Sequence, residues 1–285
     1  MKLGGHVSVA GGLLNTVDKT QAIGGNCMQI FSSPPRNWYG PNHSENAITE
    51  FNQAIDKQSL SPIFIHATYL INLASINPQT RAKSIKILQD ELEFGDKINA
   101  SGVIFHIGSH KGQSHSDGLN KVVAAIKNIL AIKYKTPLLL ENAAGENNKI
   151  GSKLEDLEYI SKAVGNPHLG FCLDSAHLYS AGYDLSNPTT ITSIIRTIEV
   201  KRLKVMHLND TDTVLGGGRD KHENIGKGNI TLLGFKNIIN HPLLKDIPFI
   251  IETPGENREG PNKQNRSSKK SGVNRNTPFF NGNRK

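Results

Sequence analysis

Cysteine is nearly absent from this chain: there are two in 285 residues, Cys27 and Cys172. Two thiols cannot staple a small secreted scaffold, so a disulfide framework is excluded as the source of stability. Both lie in apolar, strand-like runs, as expected of buried thiols in a reducing compartment. No apolar run approaches the roughly 20 residues of a membrane span, so no membrane partner is expected. The start, Met1-Lys-Leu-Gly-Gly-His6, carries no signal-like apolar segment, and a cytoplasmic protein is expected. The Gly-rich phosphate fingerprint of a doubly wound dinucleotide-binding sheet does not follow the first strand-like run. Cations are most concentrated at the C-terminal end. From Asn262 to the end there are seven cations and no Asp or Glu. Without those seven the formal net charge of +8 falls to +1, so a basic face for nucleic acid has to come from local arrangement.

What is present is a repeated design, an apolar run that stops at a metal-binding side chain. The runs are Pro62-Ile-Phe-Ile-His66, Val103-Ile-Phe-His106, Pro137-Leu-Leu-Leu-Glu141, Gly170-Phe-Cys-Leu-Asp174, Leu203-Lys-Val-Met-His207 and Pro248-Phe-Ile-Ile-Glu252. Each suits a strand buried on both faces of a parallel sheet, and each ends in a group that is costly to bury without a partner. Two further strand candidates lie around 3–8 and 27–31. Helical periodicity covers 12–23, 45–57, 78–99, 117–132, 153–164, 190–200 and 231–239, with Asn77-Pro78 and Ser152 as candidate helix starts. Eight strands alternating with at least seven helices predict an α/β fold, a (β/α)8 TIM barrel spanning 1–262 as one domain. Residues 263–285 are basic and low in complexity. They lack apolar periodicity and are expected to form a disordered tail in place of the last helix.

In such a barrel the functional groups lie at the carboxyl ends of the strands. His66, His106, Glu141, Asp174, His207 and Glu252 would then sit in order around one rim. His177 follows Asp174 by about one turn of chain, and Asp220 and His222 stand two apart in a Gly-rich loop. Any one of these alone is more often a satisfied core or surface residue, and the loop pair could simply be solvated. Burying four carboxylates together without cations is strongly unfavourable, however. Nitrogen and oxygen donors without thiolate favour zinc, manganese or iron over calcium or soft-metal sites.

The chain also resembles the endonuclease IV family of apurinic/apyrimidinic endonucleases, over about 2–262. The shared motifs are Gly5-His-Val-Ser8, His66-x-x-Tyr-Leu-Ile-Asn-Leu73, Phe105-His-Ile-Gly-Ser-His110, Glu141-Asn-x-Ala-Gly145, Leu173-Asp-Ser-x-His177, Ala181-Gly-Tyr-Asp184, Met206-His-Leu-Asn-Asp210, Asp220-x-His222-x-x-x-Gly-x-Gly228 and Glu252-Thr253. The resemblance implies three Zn2+ ions per chain, with manganese admissible at one or more sites. His66, His106 and Glu141 would hold the first ion. Glu141, bridging, would hold the second with Asp174, His207 and Glu252. His177, Asp220 and His222 would hold the third. It further implies a monomer acting on double-stranded DNA that contains abasic sites, cutting the phosphodiester on the 5′ side. Glu141 and Glu252 would be the catalytic carboxylates, and Arg36, Tyr69 and Leu70 would enter the duplex, while Trp38 anchors its loop. His6 and His110 are expected to support the ligands from behind. Ile107 stands where the family often has proline, and the chain after Asn265 is unmatched. Two rival readings are a divalent-metal sugar isomerase or epimerase of the same barrel superfamily and a damaged-DNA binding protein without turnover.

Overall fold

The strand-like runs pair in chain order and close on themselves. The structure, a computed structural model, describes residues 1–253; the expected domain end at 262 and the tail at 263–285 lie outside the described residues. The strands are β1 (Leu3–Val7), β2 (Cys27–Phe31), β3 (Ile63–His66), β4 (Gly102–His106), β5 (Leu138–Glu141), β6 (Leu169–Asp174), β7 (Leu203–His207) and β8 (Phe249–Ile251). Each pairs in parallel with the next, and β1 pairs with β8 through Leu3↔Phe249, Gly4↔Ile250 and Gly5↔Ile251. The result is the eight-stranded closed barrel that the alternation predicts.

Helices α1 (Leu14–Ala22), α2 (Glu45–Gln58), α3 (Pro78–Lys97), α4 (His115–Ile129), α5 (Leu154–Val164), α7 (Pro188–Thr197) and α8 (Thr231–Ile239) correspond to the seven periodic patterns. Asn77 caps α3 as expected, its Oδ1 accepting from Gln79 N at 2.8 Å and Thr80 N at 3.3 Å. Ser152 does not cap α5. That helix starts from Lys153 without a side-chain cap. An additional helix, α6 (Ser175–Ser180), follows β6 directly. With six residues it is too short for periodicity to reveal. Among the described residues no helix is long and apolar enough to cross a membrane.

The strand period of two divides each strand between two cores. Residues such as Ile65, Phe105, Leu140, Phe171, Met206 and Phe249 face the helices and join one large buried cluster. The other parity points inward, where Cys27, Phe64, Ile104, Leu139, Cys172, Val205 and Ile250 form a separate buried plug. Leu139 fits this plug because two neighbours lack side chains. A Cβ at Gly102 would lie 2.4 Å from its Cδ1, and one at Gly170 2.9 Å from its Cδ2. Six of the seven plug residues stand two positions before a predicted metal donor, so the donors share their inward parity and rest on an apolar floor.

Candidate metal centre

The predicted donors converge. His66, His106, Glu141, Asp174 and His207 are the last residues of β3 to β7, and Glu252 follows β8 at once. Asp174 and His207 are 0% exposed, Glu141 1% and His66 and His177 2%, so water does not solvate this charge. Glu141 stands in the middle. Its Oε2 lies 3.1 Å from both His66 Nε2 and His106 Nε2, and its Oε1 lies 3.2 Å from His207 Nδ1. Three groups of donors, each with its ligand atoms within 4.8 Å of one another, could hold a metal ion: His66, His106 and Glu141; Glu141, Asp174 and His207; and Asp174, His177 and His222. Glu252 adjoins the second group, its Oε2 3.2 Å from His207 Nδ1. Asp220 adjoins the third, its Oδ1 3.0 Å from His177 Nε2 and 3.5 Å from His222 Nε2. The sequence motifs give Asp174 to the second group alone. In the fold Asp174 Oδ2 is equidistant, at 3.7 Å, from His207 Nδ1 and His222 Nε2.

Backbone groups aim the imidazoles. His66 Nδ1 donates to Ala67 O at 2.8 Å, and His177 Nδ1 to Asn142 O at 2.9 Å. A carbonyl only accepts, so each Nε2 is left with its lone pair towards the donors. His207 is reversed. Its Nε2 meets Gln29 Oε1 at 2.7 Å, turning Nδ1 inward. His177 arrives through α6, whose first turn is nucleated by Asp174 Oδ1 accepting from His177 N at 2.9 Å. The loop carrying Asp220 and His222 is tied down by Asp210, a buried carboxylate just past β7. It accepts from Gly226 N at 2.9 Å, Gly228 N at 3.0 Å and Ile230 N at 3.1 Å, while its carbonyl accepts from Glu223 N at 2.7 Å. Gly228 is required there, since a Cβ would lie 2.4 Å from Asp210 Oδ1.

Protons and carboxylates balance one another in this cluster. Burial drives the Glu141 and Glu252 carboxyls up, but imidazoles outweigh it: His106 and His207 at Glu141, His207 and His6 at Glu252. Both end well below the ordinary carboxylate range. Asp174 and Asp220 are lowered in the same way against burial, by His177 and His222 at Asp174 and chiefly by His177 at Asp220. Burial works against a proton on His66, His177 and His207, yet carboxylate neighbours raise His66 and His177, and Cys172 followed by Glu252 and Glu141 raises His207. The donor set suits a divalent ion on two grounds. Its anions are compensated mainly by imidazoles, with Lys149 beside Asp220, and the buried Nε2 atoms of His177 and His222 make no hydrogen bond despite the Asp220 oxygen near them.

Several supporting residues escaped the sequence reading. Asn142 holds β6 in place, accepting from Asp174 N at 2.6 Å. Asn209 Nδ2 donates to Asp174 Oδ2 at 2.5 Å and Glu252 Oε2 at 3.2 Å. Lys149 Nζ lies 3.6 Å from Asp220 Oδ2 and also pairs with Glu146. Gln29 reaches His6, His207 and Glu252. An amide at an inward position of an otherwise apolar strand was the one available signal for Gln29. His6 supports Glu252 as expected, its Nδ1 3.2 Å from Glu252 Oε1. His110 is placed differently: its Nδ1 faces Gln113 O at 3.1 Å and its ring lies 5.3 Å from that of His115.

Of the residues expected to meet DNA, Tyr69 borders the first donor group. Tyr69 is 53% exposed, with its ring centroid 5.7 Å from that of His66, 5.9 Å from that of His106 and 5.3 Å from that of Phe31. Leu70 beside it is half-buried and Arg36 is exposed. The Arg36 loop and the Tyr69 loop are joined, because Pro35 O accepts from Thr68 Oγ1 at 2.6 Å and Tyr69 N at 3.0 Å. Trp38 packs against the core and anchors its loop.

Comparison with known proteins identifies the family. A family profile described as xylose isomerase-like TIM barrel matches residues 17–271. A Halothermothrix orenii protein named "Probable endonuclease 4" is 40% identical over 260 residues, covering 89% of this chain and 94% of its own length. The crystal structure of endonuclease IV from Thermus thermophilus is 31% identical with a TM-score of 0.80, over 90% of this chain and 93% of that one. The chain belongs to the endonuclease IV family. A D-tagatose 3-epimerase-like protein shares the fold, with a TM-score of 0.69 at 22% identity over 89% of this chain and 91% of that one.

Proposed function

We propose that the protein is a zinc-dependent apurinic/apyrimidinic endonuclease of base-excision repair. It hydrolyses the phosphodiester 5′ to an abasic site in double-stranded DNA, leaving a 3′-hydroxyl and a 5′-deoxyribose phosphate. The observation that carries this reading is the linkage of three donor groups through two shared carboxylates, Glu141 and Asp174. His66, His106 and Glu141 would hold one ion, Glu141, Asp174, His207 and Glu252 a second, and His177, Asp220 and His222 a third, with Asp174 near enough to assist. Bound ions of this kind polarise phosphate oxygens and make water nucleophilic at neutral pH.

The chain's own residues bind, orient and exclude water. With three divalent cations bound, the charge of the four carboxylates would be outweighed and the rim would attract an anionic backbone. Glu252, held from both sides by Gln29 and Asn209, orients the attacking water. Arg36, Tyr69 and Leu70 enter the duplex, where an aromatic and an aliphatic side chain offset an unstacking cost of a few kcal/mol per step. The abasic deoxyribose then reaches the rim outside the stack. Two buried free thiols fit a cytoplasmic setting. A sugar epimerase shares the barrel, but such chemistry has no use for a third donor group or for Tyr69 at the mouth.

The test is a synthetic duplex bearing one abasic site. The zinc-replete protein should cut it once, on the 5′ side, without added magnesium, and a chelator should stop the reaction only slowly. An uncut duplex, or isomerisation of a ketose by the same preparation, would overturn the proposal.

A further inference from the structure

Gln29 lies in the middle of β2 between Met28 and Ile30, is 0% exposed and faces the barrel interior. Both ends of its amide are engaged. Its Oε1 is 2.7 Å from His207 Nε2, and its Nε2 donates to Glu252 Oε1 at 2.5 Å and lies 2.8 Å from His6 Nδ1. The reversed amide would set oxygen against the Glu252 carboxylate and nitrogen against a ring nitrogen that must then give up its proton, so the contacts choose one orientation. No other side chain serves as well. A carboxylate would accept from His207 but repel Glu252, and an apolar residue would leave His207 Nε2 without its acceptor and take one donor from Glu252.

We infer that Gln29 is a positioning residue for the second donor group: it keeps the proton of His207 on Nε2, aims Nδ1 at Glu141 and Asp174, and turns Glu252 so that Oε2 faces the same point. This rests on the metal-dependent reading above. By contrast, the rings of His66 and His177 are fixed by backbone carbonyls. Among the described residues the side-chain hydrogen bonds of Gln29 reach His6, His207 and Glu252. Its influence is therefore confined to one ion of three.

The experiment compares the zinc-loaded wild type with Gln29→Met, which keeps the volume but removes both polar ends. Metal content is measured by elemental analysis across a chelator series and by the visible spectrum after cobalt substitution. The wild type should hold three ions. The variant should lose one at about 10–100-fold lower chelator and alter the cobalt bands of one site, with the other two unchanged. Retention of all three ions at wild-type chelator strength, or loss of all three together, would overturn the inference. A wild type that holds fewer than two ions would overturn the metal reading and this inference with it. A second measurement needs no variant. Nitrogen-15 spectra of the loaded wild type should show one ligating histidine bound through Nδ1 and carrying its proton on Nε2. Ligation of every histidine through Nε2 would also overturn the inference.

Discussion

Donors carried on strands and donors carried on a loop reach the same centre by different means. His66, Glu141, Asp174 and His207 are at most 2% exposed and stand on ladders whose register is shared with their neighbours, as in His106↔Glu141 and Asp174↔His207. Moving one of them means moving the barrel. Asp220 and His222 retain 27% and 18% side-chain exposure and lie on a loop held by hydrogen bonds, among them those to the buried carboxylate of Asp210. The strand groups have the stability of the whole fold, whereas the loop group can open alone. The third donor group is thus the adjustable part of the centre.

Three changes would break or sharpen this contrast. The largest effect belongs to Glu141→Ala, which removes a carboxylate shared by two strand groups. Cleavage should fall to background, at least two ions should be lost, and leaving the facing imidazoles unpaired should cost about 3–5 kcal/mol in denaturant unfolding. Near-normal cutting of an abasic duplex would refute the shared role. Next comes Asp210→Ala, which strips four backbone N–H groups, those of Thr211, Gly226, Gly228 and Ile230, of their acceptor, at about 1–3 kcal/mol for each one left buried. Its loop should become sensitive to limited proteolysis and the third ion should leave first, while the strand groups keep theirs. Equal loss from all groups would show that loop and strands are one unit.

The smallest effect concerns pH in the metal-free protein. His66, His177 and His207 are raised in the fold, so their contribution is complete below the ordinary histidine value of about 6.5 and is lost as pH rises through their raised values. Glu141, Asp174, Asp220 and Glu252 are lowered, so their contribution is complete above about 4 and is lost as pH falls through their lowered values. Stability measured by denaturant should peak between about 4 and 6.5 without metal. Loading should move the peak upward, because ions displace the imidazole protons. An unchanged profile on loading would argue that metal and protons do not compete.

The barrel was legible because each strand carries its own evidence: a short apolar run with a costly terminal residue. The six strand-end donors were readable for the same reason, whereas His177, Asp220 and His222 stood out by their spacing and by the family motifs; the structure brings the nine near one another. What was hidden depends on distance across the barrel. Gln29 is separated from Glu252 by 223 positions in the chain, and nothing local in β2 announces that its amide will meet a histidine from β7. Asn142 and Asn209 look like loop residues until the strands before them are placed side by side. Helix α6 was missed because Asp174 starts it through one backbone contact and it ends after six residues. His110 shared a motif with His106 but lies four residues beyond the strand end, where the chain has already turned to Gln113.

The apolar plug beneath the donors has a consequence for how errors in folding are punished. From β3 to β8 plug and donors occupy alternate positions on the same face, so they are specified as a single set. Slipping one strand by a single residue would send its donor into the oil between sheet and helices and press a large aliphatic or aromatic side chain into the floor. A misaligned barrel therefore forfeits its core at the same moment as its chemistry, and quality control by hydrophobic burial alone is enough to reject it.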